Sequence, residues 1–204
     1  MSTYKYFLDF GTQHGHGLDQ ITKLENLDLP DRGQEQTKIC SFEPNPHTFQ
    51  KIKFKQGVQY YNMGIADKTG FYDFNCEEEM AGVFTGGGSS LLDLSIWDLS
   101  CVYTWSSAER FSKYKKSNVF CLSICDLLDT LTPDKNEKSI LAKFDIEGTE
   151  YSIFEQLEKT DNFKWFQKIY VEFHDDAITT TLHKDKHYWI RRFPELDIEY
   201  VEWH

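Results

Sequence analysis

The sequence predicts an α/β protein in which helices cover both faces of a mostly parallel central sheet. Three observations predict this fold. Short apolar runs alternate with segments of helical periodicity, a glycine-rich turn follows the first apolar run, and 204 residues suffice for one domain with a single core. The candidate strands are Tyr4–Phe10, Lys38–Phe42, Val58–Ile65, Phe71–Phe74, Val119–Leu122, Ile140–Asp145, Lys168–Phe173 and Asp197–Trp203. The candidate helices are Leu18–Leu27, Pro46–Phe54, Ile124–Leu131, Glu150–Leu157 and Tyr188–Phe193.

Residues 75–118 break this alternation. An acidic cluster there is followed by a Gly-Gly-Gly-Ser-Ser stretch and then by many aromatic residues. The segment is longer than the connections of compact domains, so it is either a lid or substrate-binding insertion, or a pair of ordinary packing helices. Before it, Lys68-Thr-Gly70 predicts a hairpin turn between Val58–Ile65 and Phe71–Phe74.

The composition excludes several classes of partner. A net charge of −11 argues against nucleic acid, which needs clustered Lys and Arg. No apolar run approaches the ~18 residues of a membrane span, and no leader-like segment opens the chain, so no membrane partner is expected. The five cysteines are scattered and form no C-x-x-C pair, which predicts reduced, mostly buried thiols and a cytoplasmic protein.

The turn from Asp9 to Gly17 carries the first functional signal. A strand, a glycine turn and a helix in this order place backbone N–H groups beside a nucleotide-like ligand, and glycine permits close approach. The carboxylate of Asp9 would repel a pyrophosphate but suits a ligand that carries an ammonium group and ribose hydroxyls. S-adenosylmethionine is such a ligand, and the turn lacks the G-x-G-x-x-G spacing of dinucleotide sites.

Glu43, at the end of the second strand, is the candidate ribose ligand. A carboxylate at a strand end can accept hydrogen bonds from both ribose hydroxyls. It lies further from the first glycine than the about 20 residues typical of dinucleotide sites. The alternative role is at the start of the next helix, in Glu43-Pro-Asn45-Pro, although Asn45 alone can cap that helix.

Five segments together resemble the FkbM family of S-adenosylmethionine-dependent methyltransferases: FLDFGTQHG, SFEPNPHTF, NMGIADKTGFYDF, LAKFDIEGTEYSIF and IYVEFH. They follow the family's order and spacing over residues 4–175, and the D-x-E-G-x-E and E-P-x-P segments are the specific ones. The resemblance implies a Rossmann-like class I methyltransferase fold and methyl transfer to a hydroxyl, often on a sugar or natural product. A class I sheet usually finishes with an antiparallel hairpin, whereas here Asp197–Trp203 alone follows the last helix. Either the sheet has fewer strands, or the single domain 1–204 is excised from a longer protein.

The resemblance also implies a cofactor-binding set around the first three strand ends: Asp9, Gly11, Thr12, Gln13 and Gly15 of the turn, with Glu43, Asn62 and Met63. The turn would hold the methionine part, Glu43 the ribose, and the last two residues would lie beside the adenosine. The family commonly has Ala-Asn where Thr12 and Gln13 stand. Gln13 can make the same hydrogen bonds with a longer arm, while Thr12 alters the local geometry of the turn.

The chemistry is expected at the strand ends that carry Asp145 and Glu172. A hydroxyl is a poor nucleophile, so it needs a general base or a metal ion that lowers its pKa. His174 is the best base by its intrinsic pKa, and Asp145 and Glu172 complete the catalytic candidates. Asp145, Glu172 and Asp175 could instead hold Mg²⁺ or Mn²⁺ through oxygen ligands.

Structural roles compete with these assignments. His174 could merely cap a strand, and Glu147 and Glu150 could favour a helix N-terminus electrostatically, which is the preferred role for Glu150. For the whole chain, the leading hypothesis is an O-methyltransferase acting on a carbohydrate or another hydroxylated small molecule. Trp97 and Trp105 would then stack on a sugar, unless they fill the core. The alternatives are an NAD-linked oxidoreductase and a non-catalytic binding module on the same fold.

Overall fold

The computed structural model describes residues 4–27, 37–77, 89–91, 114–131, 137–174 and 184–203. Its strands are β1 (Tyr6–Phe10), β2 (Lys38–Phe42), β3 (Val58–Tyr61), β4 (Gly64–Ala66), β5 (Gly70–Glu77), β6 (Tyr114–Ser123), β7 (Ile140–Phe144), β8 (Phe166–Val171) and β9 (Glu199–Glu202). Its helices are α1 (His16–Leu24), α2 (Pro46–Phe49), α3 (Ile124–Leu131), α4 (Glu150–Lys159) and α5 (Lys186–Glu195), with a 3₁₀ helix at Asn162–Trp165.

Six of the described strands form the larger sheet, in the order β3-β2-β1-β7-β8-β9, and every neighbouring pair is parallel. This confirms the predicted α/β fold with a mostly parallel sheet. Strand β9 lies parallel to β8, so the strand predicted at Asp197–Trp203 extends the sheet without reversing it. The order of the strands turns back between β1 and β7. In open parallel sheets, ligands bind at such a switch point, beyond the carboxyl ends of the strands.

Both faces of the larger sheet are covered by helices. Leu8 and Ala142 belong to a hydrophobic cluster with α3, α4 and α5 on one face. Phe7 and Leu141, one position earlier on the same strands, pack with α1 on the other face. This alternation is the period of two that a strand requires, and each fully buried Leu or Phe contributes about 2 kcal/mol.

A second sheet contains three described strands in the order β4-β6-β5, with β6 between a parallel and an antiparallel neighbour. The hairpin predicted at Lys68–Gly70 is therefore wrong, because β4 and β5 both pair with β6 and not with each other. The strand predicted at Val58–Ile65 is two strands in two sheets. At the junction, Gly64 packs so closely against β6 that a Cβ would lie 2.7 Å from the sulfur of Cys121.

The predicted insertion is shorter than residues 75–118, because strands β5 and β6 include both of its ends. Residues 75–77 and 114–118, assigned to it from the sequence, lie in these paired strands. Of the remainder, 78–88 and 92–113 lie outside the described residues, as do Trp97 and Trp105. No described helix is long and apolar enough to cross a membrane. Four described cysteines are free thiols, and Cys40, Cys76 and Cys121 among them are buried.

Candidate functional site

A cleft whose empty space, open solvent included, is about 500 Å³ lies at the carboxyl ends of the strands on both sides of the switch point. Most of its apolar lining comes from the two sheets, and its polar lining comes from the loops that follow β1, β2 and β7 and from Ser89. The lining residues include Phe10, Phe42, Ile65, Phe74, Leu91 and Ile146, with the polar residues Gln13, Glu43, Ser89, Asp145, Glu147 and Thr149.

The glycine turn after β1 is packed against the end of β7. Gly11 has a φ of +78°, and a Cβ there would overlap the carbonyl oxygen of Asp145. The turn's amides are already engaged within the protein: Gly11 and Thr12 donate to the Phe42 carbonyl, Gly15 donates to Thr12, and Gln13 donates to the Glu43 carboxylate. These four N–H groups therefore do not form an open anion-binding nest, which is what a pyrophosphate would require.

Asp9 lies behind this turn and is fully buried. Its Oδ2 accepts hydrogen bonds from the Thr12 hydroxyl at 2.7 Å and the Ser41 hydroxyl at 3.1 Å. The two hydroxyls also hydrogen-bond to each other. Asp9 and Thr12 do not line the cleft, whereas Gly11 and Gln13 do. Direct cofactor contact by the first two stays a prediction, and the geometry gives both a supporting position.

Lys143 is the partner of Asp9 and is not among the site residues predicted from the sequence. It is register-paired with Asp9 across β1 and β7, and its side chain is 2% exposed. Its ammonium lies 3.5 Å from Asp9 Oδ1 and 3.1 Å from Asp145 Oδ2, and it donates to the Gly11 carbonyl at 2.8 Å. Burial alone would lower the pKa of Lys143, but Asp145 and Asp9 outweigh it and raise that pKa. The residue is therefore a buried cation.

Glu43 faces the cleft from the end of β2. Its two carboxylate oxygens accept the backbone N–H groups of Gln13 and Asn45, each at 2.8 Å. Burial raises the pKa of Glu43 to about 7, although these two N–H donors oppose the shift. A carboxylate has about four acceptor positions. Both oxygens can therefore accept further hydrogen bonds from a ligand.

The predicted adenosine residues lie beside Glu43. The Asn62 side chain donates to the carbonyl of Glu43 at 2.8 Å and to that of Pro44 at 3.3 Å. Met63 packs against the main hydrophobic cluster. Neither residue lines the cleft, although the following residue Gly64 and the Asn62 partner Pro44 do. Asn45 caps α2 by accepting from the His47 amide at 3.0 Å, so Glu43 is not needed for that purpose.

On the other side of the cleft, the structure brings together five ionisable residues that we call the acid–histidine cluster: Asp145, Glu147, Glu150, Glu172 and His174. Asp145 and Glu147 line the cleft. The imidazole of His174 lies behind them, with Nε2 3.4 Å from Glu147 and 3.9 Å from Glu172. His174, Asp145 and Glu172, the three predicted catalytic residues, thus meet at one place.

Glu150 fixes the orientation of His174. It is fully buried, and its Oε1 accepts the Ile146 amide at 2.8 Å and lies 3.1 Å from His174 Nδ1. The other oxygen has no hydrogen-bond partner among the described residues. The predicted position at a helix N-terminus is correct, since Glu150 begins α4. The contact with His174 adds a role that its position alone did not indicate.

The carboxylates and the imidazole shift one another's protonation. Burial would lower the pKa of His174, but Glu150, Glu147 and Asp145 outweigh it and raise that pKa to about 10. Burial raises the pKa of Glu147 well above its usual value, with His174 opposing the shift. Burial, followed by the neighbouring Asp145, also raises the pKa of Glu172. At neutral pH His174 is therefore an imidazolium surrounded by acids.

The metal set predicted from the sequence is changed by this geometry. Asp145, Glu147 and His174 each place one potential ligand atom within 4.8 Å of the other two. Glu172 is not part of this group, and Asp175 lies outside the described residues. The Lys143 ammonium, 3.1 Å from Asp145, opposes a second cation there.

A short segment, Ser89–Leu91, borders the cleft from the side of the second sheet. Ser90 and Asn75 of β5 exchange two backbone hydrogen bonds of 2.9 and 3.1 Å. The Ser90 hydroxyl donates to the Glu147 carbonyl at 2.6 Å. Glu147 has a φ of +54°, which is uncommon for a residue with a side chain. Ser90 thus holds the backbone that directs Glu147 into the cleft.

A known protein family matches most of the chain. A family model described as the methyltransferase FkbM domain matches residues 22–193 of the 204-residue chain. The match begins after the glycine turn and includes Glu43, Lys143 and the whole acid–histidine cluster. No curated protein and no solved structure matches the chain. Because the matched region covers most of the sequence, the chain belongs to the FkbM methyltransferase family.

Proposed function

We propose that the protein is an S-adenosylmethionine-dependent O-methyltransferase that methylates a hydroxyl of a sugar, a glycan or a similar small molecule. One observation carries the proposal. The cleft at the switch point is bounded on one side by the glycine turn and Glu43, and on the other by Asp145 and Glu147. A cofactor held on the first side would present its reactive group to the second.

The residues of the first side fit S-adenosylmethionine. Gly11 lines the cleft with its backbone alone, because a Cβ there would overlap Asp145, and Glu43 offers carboxylate lone pairs to ribose hydroxyls. The engaged amides of the turn disfavour the pyrophosphate of NAD, which is the competing cofactor. When bound, S-adenosylmethionine supplies an electrophilic methyl group to an oxygen aligned with it.

The second side fits proton removal from a hydroxyl. Glu147 reaches the cleft, and a carboxyl group whose pKa burial raises becomes a stronger base once it is ionised. His174 is already protonated at neutral pH, so we assign it the positioning of Glu147 and Glu172 and not the predicted role of base. Glu150 in turn holds the imidazole from behind.

A divalent cation is the alternative way to activate the hydroxyl, favoured by the proximity of Asp145, Glu147 and His174. Oxygen and imidazole ligands suit Mn²⁺, and to a lesser degree Mg²⁺. A ligating imidazole must be neutral, whereas the surrounding carboxylates favour the imidazolium. Together with the nearby Lys143 ammonium, this makes the carboxylate base the preferred mechanism.

A carbohydrate acceptor agrees with the mixed lining of the cleft. Phe74 and Leu91 provide apolar surface for the C–H face of a sugar ring, and Ser89 provides a hydroxyl group next to it. A small acceptor with several hydroxyls can use both kinds of contact.

Calorimetry on the whole chain tests the cofactor assignment. We expect micromolar binding of S-adenosylmethionine and of its demethylated product, and no binding of NAD. Glu43→Gln should weaken S-adenosylmethionine binding by about tenfold, the loss of a charge-assisted hydrogen bond, whereas the exposed control Glu195→Gln should not. A folded protein that ignores S-adenosylmethionine would sink the proposal, and binding of NAD alone would favour the oxidoreductase.

Transfer of an isotope-labelled methyl group to a panel of neutral mono- and oligosaccharides tests the reaction. Full activity in EDTA supports the carboxylate base, and activity lost in EDTA but restored by Mn²⁺ supports the metal. A protein that binds the cofactor but methylates none of the acceptors, and whose cofactor binding Asp145→Asn does not change, would be the non-catalytic module.

A further inference from the structure

We propose that Lys143 is a positioning residue that holds the glycine turn and the cleft-lining carboxylate Asp145 in one fixed arrangement. The inference rests on the proposed function for its effect on methyl transfer. Its structural part, the anchoring of the turn, stands on the contacts of the ammonium alone.

A row of three polar side chains crosses the sheet just below the cleft. We call Ser41, Asp9 and Lys143 the polar row, since they are register partners on β2, β1 and β7. By strand alternation they continue the face formed by Ile39, Phe7 and Leu141, which α1 covers. The row therefore lies under the glycine turn, inside the protein.

The ammonium of Lys143 joins the two sides of the switch point. It donates to the Gly11 carbonyl at 2.8 Å on the cofactor side and lies 3.1 Å from the Asp145 carboxylate on the catalytic side. Both Gly11 and Asp145 line the cleft, whereas Lys143 does not. The residue thus acts on the site through its neighbours.

The start of α1 confines the Lys143 side chain. A Cβ on Gly17 would lie 2.7 Å from Cε, 3.2 Å from Cδ and 3.5 Å from Nζ of Lys143. Glycine at position 17 therefore leaves the space that the lysine occupies. The ammonium is held between the turn, the helix and β7, so it has little freedom to follow other partners.

Stability alone does not account for a charge at this position. Well-packed apolar residues often replace buried ion pairs without loss of stability, so such pairs are weak evidence for a stabilising role. What an apolar residue cannot supply is a donor to Gly11 and a countercharge for Asp9 and Asp145. The contacts of Lys143 thus specify the geometry of the cleft wall.

Lys143→Met keeps the approximate length of the side chain and removes its charge. Lys168→Met is the matched control, because Lys168 lies on the adjacent strand β8, is 12% exposed and pairs with Glu25 and Glu199 at 2.8 and 2.7 Å. We expect Lys143→Met to raise the Kd for S-adenosylmethionine about tenfold and to lower kcat about a hundredfold, since small misplacements have effects of this size. Lys168→Met should leave both constants within about twofold.

Hydrogen–deuterium exchange measures the anchoring without any ligand. In Lys143→Met, amides of residues 9–17 should exchange at least about tenfold faster than in wild type, because the turn loses its buried anchor. In Lys168→Met they should not. Unchanged exchange at 9–17 together with an unchanged Kd, in a folded Lys143→Met protein, would overturn the inference. If the wild type binds no S-adenosylmethionine, the proposed function fails and exchange alone decides the role of Lys143.

Gly17→Ala serves if Lys143→Met does not fold. It changes no charge and improves helix propensity, yet its methyl group must displace the lysine. Faster exchange at residues 9–15 and a Kd raised several-fold support the inference. A Gly17→Ala protein with the exchange and the Kd of the wild type would overturn it.

Discussion

The backbone of Gly11 lies against the carbonyl group of Asp145, so a Cβ on residue 11 would be 2.8 Å from the Asp145 carbonyl carbon and would overlap its oxygen. This contact joins the end of β1 to the end of β7 at the switch point of the sheet. The Lys143 ammonium supports it from below. This Gly11–Asp145 contact therefore joins the cofactor side of the cleft to the catalytic side.

Gly11→Ala should be among the most damaging changes in the chain. The left-handed φ of +78° costs about 1–2 kcal/mol for a residue with a Cβ, and the overlap with Asp145 adds to it. Gly15→Ala is the control, since its φ is +86° but no described atom lies within 4 Å of a Cβ built there. Urea unfolding should show a larger loss for Gly11→Ala. Equal losses would mean that the Gly11–Asp145 contact can separate without a loss of stability.

The stability of the protein should depend on pH through Glu43. Burial raises the pKa of Glu43 from 4.5 to about 7, so folding favours the protonated form. The stability that it contributes is complete below pH 4.5 and is lost as the pH rises to about 7, an effect of about 3 kcal/mol. The unfolding free energy of wild type, relative to that of Glu43→Gln, should fall across this window.

The contribution of Glu158 to the unfolding free energy changes with pH in the opposite direction. Burial would raise the pKa of Glu158, but hydrogen bonds from Lys184 and Arg192 outweigh it and lower that pKa. Its contribution is present above the unfolded pKa and is lost as the pH falls. For Glu43, a difference in unfolding free energy between wild type and Glu43→Gln that does not change between pH 4.5 and 7 would contradict its buried position.

The strand ends that form the site could be predicted from the sequence because each follows an apolar run. The pattern of β7, Ile-Leu-Ala-Lys-Phe, even displays the buried lysine among apolar residues. Its partners could not be predicted, since the contact with Asp9 depends on the register of two strands that are separated by residues 11–139 of the chain. A lysine in such a strand is nevertheless a usable signal, because it is rarely fully buried without a counter-ion.

Two other features could not be predicted from the local pattern. Asn62 interrupts the apolar residues of 58–65, but one polar residue does not indicate that the chain leaves one sheet for the other there. The contact of Glu150 with His174 joins residues 24 positions apart on different elements. Spacing along the chain predicts neighbours on one helix or strand, and contacts between elements need the fold.

Glu147→Gln should reduce turnover more than the same change at Glu172. Glu147 lines the cleft, whereas Glu172 does not. We expect kcat to fall about a hundredfold for Glu147→Gln, the lower range for a general base, while the Kd for S-adenosylmethionine stays within about twofold. Steady-state kinetics with an acceptor that the enzyme methylates measure kcat, and calorimetry measures the Kd. The reverse order of the two variants would transfer the role of base to Glu172.

The protonation of His174 should depend on Glu150. Its pKa of about 10 arises because the carboxylates, Glu150 foremost, outweigh burial. Stability from this raised pKa is complete below pH 6.5 and is lost as the pH rises through about 10. Glu150→Gln retains an oxygen for the Ile146 amide but removes the charge, so NMR titration should show a lower His174 pKa. A His174 that titrates near 6.5 in the wild type would contradict the cluster as described.

Ser90→Ala should separate the positioning of Glu147 from the binding of cofactor. The Ser90 hydroxyl donates to the Glu147 carbonyl at 2.6 Å, and Ser90 is 1% exposed, so the variant deprives that carbonyl of a buried donor. Losing such a bond costs about 1–3 kcal/mol, and the left-handed Glu147 is then free to relax away from the cleft. We expect kcat to fall about tenfold. The Kd for S-adenosylmethionine should not change, because the lost bond joins Ser90 to Glu147 and not to Gly11 or Glu43 on the cofactor side. Ser152→Ala is the control, because the Ser152 hydroxyl donates to the Thr149 carbonyl at 3.0 Å and Ser152 does not line the cleft. If Ser152→Ala lowers kcat as much as Ser90→Ala, the loss does not come from the bond to Glu147.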